Sequence, residues 1–225
     1  MRDVRIRFSK TGRAKYISHL DMMRCFSRAF FRSKIPLWFT EGFNPRPYMT
    51  FTSPLTLGAE SIAEALDIRM VDESVSDAEI AERLGAVMPP DIRILSAAPP
   101  KYKLGEIEEA RYRMEIEPGT FSPEELAARL TEVSRKEHLP VEKSGKRGKR
   151  KVMKTIDLAE YLKDFSAEAL PDGTVRIGVT LPASSQFGIN PKLFLDKFLQ
   201  ESGEDPVRVR MIREAFYCAD GILFE

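Results

Sequence analysis

The stretch SHLDMMRCFSRAFFRS at residues 18–33 sets His19, Asp21 and Arg24 close together. A histidine can exchange a proton near neutral pH, a carboxylate can orient it, and a guanidinium can hold an anion. His19, Asp21 and Arg24 are therefore candidate catalytic residues, with His19 as acid–base and Arg24 stabilising charge. The same letters also read as a helix start. Ser18 suits the N-cap, and Asp21 falls at the third helical position, where a short acid favours the helix N-terminus. Asp21 and Arg24 are three apart and can pair on the helix surface. Leu20, Met23, Phe26 and Phe30 would form the buried stripe. That reading leaves His19 without a role. It also leaves unexplained why Arg24, Arg28 and Arg32 recur every fourth residue as a basic stripe.

Three further features suit phosphate. The segment KTGRAKYISH brings Lys10, Arg13 and Lys15 to the helix start through a turn at Gly12, and helix N-termini attract anions. It lacks the GxxxxGK[ST] spacing of a P-loop. The segment TEGFNPRPYMTF at 40–51 combines a permissive Gly42 with stiffening Pro45 and Pro47. Phe43, Asn44, Arg46 and Tyr48 then present aromatic, amide and cationic groups together, suited to stacking on a base or holding a phosphate. A rigid connection with Phe43 in the core is the plainer alternative. The segment KSGKRGKRKVMK at 143–154 carries seven cations and no acid. Lys146, Arg147, Lys149, Arg150 and Lys151 resemble a nucleic-acid arm whose binding would fall steeply with salt.

These residues need elements to position them. Alternation in DVRIRFS predicts a first strand, followed by the helix from Ser18 to about Ser33. RPYMTFTSP (46–54) and AEALDIRMV (63–71) read as strands around a turn at Gly58. Ser76 with Glu79 is a capping box opening a second helix, and DIRILSA (91–97) is a further strand. Residues 98–109 read as a linker, after which the pattern restarts: ARYRMEIE as a strand, Ser122-Pro123-Glu124-Glu125 as a helix start, a basic hairpin, two strands paired across Pro171-Asp172-Gly173, a helix after Asn190-Pro191 with Leu193, Phe194 and Phe198 inward, and a last strand at 206–217. The expected fold is α+β: two tandem ferredoxin-like (β-α-β-β-α-β) halves with antiparallel sheets, the first over 1–97 and the second over 110–225, with the basic hairpin 143–154 inside it. Arg-x-Arg recurs in three strands, so Arg5, Arg7, Arg111, Arg113, Arg208 and Arg210 are expected on open sheet faces.

Composition narrows the classes. The chain has 225 residues, 43% hydrophobic and 31% charged, enough for a buried core. Net charge is +1, yet residues 1–50 carry +8, 51–142 carry −9, 143–154 carry +7 and 155–225 carry −5. Such positive blocks attract polyanions whatever the total. No apolar run approaches a membrane span, and the charged, strand-like start does not read as a signal peptide, so no membrane association and a cytoplasmic location are expected. Two cysteines, Cys25 and Cys218, cannot supply an iron–sulfur cluster motif, and two histidines give no zinc spacing. No metal or cofactor is therefore assigned.

Residues 7–68 closely resemble the N-terminal part of the radical SAM-linked protein family. The resemblance is carried by Lys10, Gly12, Ser18-His19-Leu20-Asp21, Arg24, Arg28, Gly42-Phe43-Asn44-Pro45, Pro47, Pro54-Leu55, Leu57-Gly58, Ser61 and Glu64. Thr40-Glu41 departs from the family's pattern before Gly42. The remainder of the chain matches only in general pattern. The resemblance implies a radical SAM enzyme as partner, fused or encoded nearby, and leaves open whether the chain is itself an enzyme. Three functions follow as expectations: an RNA-binding accessory protein serving that enzyme in RNA modification; an enzyme acting on RNA itself through His19, in the manner of an endoribonuclease or pseudouridine synthase; or a protein-interaction subunit docking through residues 42–48.

Overall fold

A computed structural model gives the architecture and describes every residue except Glu73, Gly148, Lys149 and Lys163; for the remainder of 144–152 it describes the backbone alone. The chain is α+β and divides into two compact units, residues 1–108 with 212–225 and residues 109–211. Among the described residues no helix is long and apolar enough to cross a membrane.

In the first unit the order is β1 (Arg2–Lys10), α1 (His19–Ser33), β2 (Met49–Phe51), β3 (Glu60–Met70), α2 (Asp77–Gly85) and β4 (Ile92–Ala98). β4 pairs with β1 and β1 with β3, both antiparallel. The other edge of β3 takes β2, antiparallel through Met49–Phe51 against Leu66–Ile68. Near the start of β3 it also takes Ile212 and Arg213, in parallel with Glu60 and Ser61. β2 is far shorter than the expected 46–54 because Pro45, Pro47 and Pro54 lack the N–H that a ladder needs.

Serine caps start both helices. Ser18 Oγ accepts from the Asp21 N–H and Ser76 Oγ from the Glu79 N–H, each at 3.2 Å. α1 ends at Lys34, whose left-handed φ of 52° breaks the helix. The buried face of α1 is Met22, Phe26, Ala29 and Phe30: Phe26 and Phe30 are inward as expected, Met22 takes the place expected for Met23, and Leu20 is 65% exposed. This face lies on Val4, Ile6, Phe8, Leu66 and Ile68, with Ile80 and Leu84 of α2 beside it. Phe8 and Phe26 meet at 4.7 Å between ring centroids, and Phe26 and Phe51 at 5.4 Å. Each fully buried side chain of this size contributes about 1.5–3 kcal/mol.

The opposite face of β1 is not open. Arg5 is 2% exposed. It forks onto Asp67 at 2.8 and 2.9 Å, donates to the Tyr102 and Glu225 carbonyls, and lies 4.2 Å from the Phe224 ring centroid. The segment 98–109, expected as a linker, therefore crosses this face together with the C-terminal residues. Asp3 and Arg69 repeat the cross-strand pairing at 2.7 Å.

In the second unit come β5 (Glu109–Glu117), α3 (Pro123–Ser134), β6 (Pro140–Arg147), β7 (Arg150–Asp157), β8 (Ser166–Ala169), β9 (Val175–Pro182), α4 (Pro191–Ser202) and the start of β10 (Arg208–Tyr217). β5 pairs with β9 and β9 with β8, antiparallel. β6 and β7 form the expected separate hairpin. The helix stripes are Leu126, Leu130 and Val133 on α3, and Phe194, Leu195 and Phe198 on α4. Glu204, 7% exposed, accepts from three successive N–H groups, Gly119, Thr120 and Phe121, and so closes the turn after β5.

Of the strand arginines expected on open faces, Arg208 and Arg210 are exposed, and the four in this unit are ion-paired. Arg111 pairs with Asp164, Arg113 and Arg210 with Glu115, and Arg208 with Glu117. Glu115 lies two residues along the same strand as Arg113; Arg208 and Arg210 of β10 reach carboxylates on β5, and Arg111 reaches Asp164 in the segment before β8.

Candidate functional site

The most unusual chemistry of the first unit lies where β1, α1 and β3 meet. Lys10 ends β1 after a bulge between Phe8 and Lys10, the kind of irregularity that re-aims a side chain. It is 4% exposed. Its ammonium donates to the Ile17 carbonyl at 2.7 Å, tying β1 to the residue just before the α1 cap. Glu64 on β3 is also buried. It accepts from Arg213 at 2.9 Å and lies 3.4 Å from the Thr52 hydroxyl. Arg213 further donates to the Ser53 and Pro54 carbonyls at 3.0 and 3.2 Å and stacks 4.6 Å from the Phe216 centroid.

His19 opens α1 beside this network, edge-on to Phe51 at 5.6 Å. Lys10, His19, Thr52 and Glu64 line one cavity of about 10 Å³, room for a single water. Burial lowers the His19 pKa; the Glu64 charge opposes this and the Lys10 charge adds to it. Burial likewise lowers the Lys10 pKa, with Glu64 raising it and Arg213 lowering it further. Buried charges of both signs gathered this way are costly to desolvate and mark functional sites more often than ordinary core does. The arrangement can hold a neutral imidazole beside a water. It has no space for a substrate in the described conformation.

Of the residues expected in a catalytic trio, only His19 joins this centre. Asp21 accepts from Ser18 Oγ at 2.7 Å and from Arg24 at 3.1 Å, and both Asp21 and Arg24 stay exposed on the helix surface. Of the expected phosphate contacts, Lys10 is buried and Lys15 faces Glu60 at 3.6 Å. Arg13 is exposed, and its backbone N–H donates to Asp91 at 2.9 Å. Gly12 has φ +51°, and a Cβ there would meet the same carboxylate at 2.8 Å, so this tight turn needs glycine.

The remaining candidates form a second, exposed region. Phe43 is fully exposed at the tip of the 42–48 loop, with Asn44 and Arg46 exposed beside it. The loop is closed at its base by Phe39 pairing with Pro47 and by the Trp38 carbonyl accepting from Tyr48. A groove of about 290 Å³ runs between this base and the C-terminal half of α1, lined by Ser27, Phe31, Lys34, Phe39 and Pro47. Arg28 is exposed on α1, and Phe31 is 82% exposed. Among the described residues neither Arg28 nor Arg46 makes an ion pair. In the hairpin, Lys149 and the side chains of Lys146, Arg147, Arg150 and Lys151 lie outside the described residues.

Two participants of the buried centre went unread in the sequence. Thr52 looks like any strand threonine. Arg213 is one arginine among several in the last strand, and only the parallel pairing with β3 sets it against Glu64. Among the described residues no group of three His, Cys, Asp or Glu side chains is placed to hold a metal ion.

No curated protein matches the sequence. The model of one bacterial family, described as an uncharacterized protein conserved in bacteria, matches residues 3–191, which takes in Lys10, His19 and Glu64 but not Arg213. With most of its length so matched, the chain belongs to the DUF2344 family.

Proposed function

We propose that this chain is an RNA-binding accessory protein that works with a separate radical SAM enzyme in RNA modification. One observation carries the RNA half: exposed Phe31 lines a groove between α1 and the base of the 42–48 loop, and that helix and that loop also expose Arg28, Phe43 and Arg46, neither arginine in an ion pair among the described residues. Exposed rings and exposed guanidinium groups suit unstacked bases and their phosphates. The enzyme half rests on the resemblance to the radical SAM-linked family. Fluorescence anisotropy with a labelled transfer RNA and a single-stranded oligonucleotide, across rising potassium chloride, tests the reading. Affinity should fall steeply with salt, and Arg28→Glu with Arg46→Glu should weaken binding by about tenfold or more. A flat salt response discards it.

A second reading, an RNA-acting enzyme, draws on the buried centre. A neutral His19 beside a water-sized cavity is a reasonable general base. It requires that the purified chain alone change RNA, and that His19→Ala abolish turnover while binding persists.

A further inference from the structure

The cleft on the opposite sheet face of the first unit has a character of its own. It measures about 520 Å³ and is lined by Asp3 of β1, Tyr48, Asp67 of β3, and Lys101, Tyr102 and Lys103 of the crossing segment. That size falls within the range of small-ligand sites. Tyr48 is fixed in place, with the Arg69 guanidinium 4.8 Å from its ring centroid and Trp38 edge-on at 5.7 Å. Asp3 and Asp67 are held rigidly by Arg69 and Arg5, and each carboxylate keeps lone pairs for further donors. Lys101 is engaged by Glu225 at 2.5 Å. Lys103 forms no ion pair among the described residues; Glu106, which also lines the cleft, accepts from the Lys103 backbone N–H at 2.9 Å and leaves the ammonium free of it.

We infer that this cleft binds one nucleotide whose base carries an exocyclic amine, with the base against the tyrosines, the amine on a carboxylate and the phosphate on Lys103. The tyrosine rings supply faces for a planar heterocycle, which is sequence-tolerant on its own. The carboxylates accept and cannot donate, so adenine, cytosine and guanine fit better than uracil. Ring, donor and anion together describe a nucleotide, free or at the end of an RNA; the class of ligand rests on the RNA reading above.

Isothermal titration of the whole chain with AMP, CMP, UMP and adenosine tests this. AMP and CMP should bind more tightly than UMP. Tyr102→Ala should weaken AMP by about tenfold. Tyr102→Phe should restore it, which a merely unfolded segment would not. Lys103→Glu, at an exposed position, should weaken AMP and leave adenosine unchanged. The inference is overturned if UMP binds as well as AMP, or if Tyr102→Ala and Lys103→Glu both leave AMP within twofold. Competition between AMP and an oligoadenylate separates the sources: displacement from this cleft marks an RNA end, and its lack marks a free nucleotide, either of which supports the site. A chain that binds RNA through Arg28 and Arg46 yet binds no nucleotide overturns this inference alone. One that binds AMP and no RNA overturns the RNA reading instead.

Discussion

Arg213 and Glu64 stand 149 positions apart in the chain and meet at 2.9 Å, both almost wholly buried. Neither charge reaches water, and each needs the other. Replacing Arg213 with Met should destabilise the protein by about 3–5 kcal/mol, because Glu64 then stays buried without its guanidinium. The Lys10 charge also acts on Glu64, which favours the lower end. Pairing Arg213→Met with Glu64→Leu should return much of the loss. Urea denaturation of the two single variants and the double variant measures this coupling. If the double variant loses the sum of the two single losses, the pair is not acting as a unit.

His19 should remain neutral at physiological pH. Burial holds its pKa below the ordinary 6.5. The unfolded imidazole takes up a proton as pH falls below 6.5, while the folded one resists until its own lower pKa is reached. Stability should therefore decline across that acid window and show no His19 dependence above it. Comparing His19→Gln with the parent at about pH 7.5 and about pH 5 isolates the contribution, since only the parent loses it. An imidazole NMR midpoint at or above the free value would sink the argument.

Local rules made the helices readable. Ser18 with Asp21, Ser76 with Glu79, and Ser122 with Pro123 mark helix starts because capping satisfies N–H groups from residues a turn away. The buried charges were not readable, because their partners are set by register. Alternation alone puts Arg5 on the face away from Val4 and Ile6. Only the β1–β3 register places Asp67 opposite it. A clue was present: Asp3-Val4-Arg5 and Asp67-Ile68-Arg69 are the same polar pattern, and run antiparallel they pair Asp3 with Arg69 and Arg5 with Asp67. Nothing comparable announces Arg213, whose position depends on a parallel crossing from the far end of the chain. Arg28, Phe43 and Arg46 are exposed, and their exposure was easier to read because a solvent-facing residue needs no partner to be placed.

In the second unit, Glu201 sits between Lys136 and Lys197, each at 2.5 Å. Their hydrogen bonds hold its pKa down at about 2, from 4.5. The stability this provides is present above pH 4.5 and lost as pH falls towards 2. Because the site is partly exposed, water and salt screen it, and Glu201→Gln should cost only about 1 kcal/mol at neutral pH. Acid titration of the parent and the variant should converge at the low end of that window. A constant difference down to the lowest pH would mean the loss comes from packing.

Asp21 separates the readings of α1. Its carboxylate both closes the Ser18 cap and holds Arg24 on the exposed face. If α1 contacts RNA, this acid works against binding, since it repels phosphate and occupies one arginine of the basic stripe. Asp21→Asn keeps a polar group beside the cap and releases Arg24. RNA affinity should therefore rise, by about tenfold at low salt if one further phosphate contact forms, and the dependence on salt should steepen by about one counterion. If Asp21 were instead part of an acid–base cluster with His19, the same change would leave affinity unaltered and abolish turnover. Parallel anisotropy and single-turnover measurements on this one variant decide between them, because the two mechanisms move different observables.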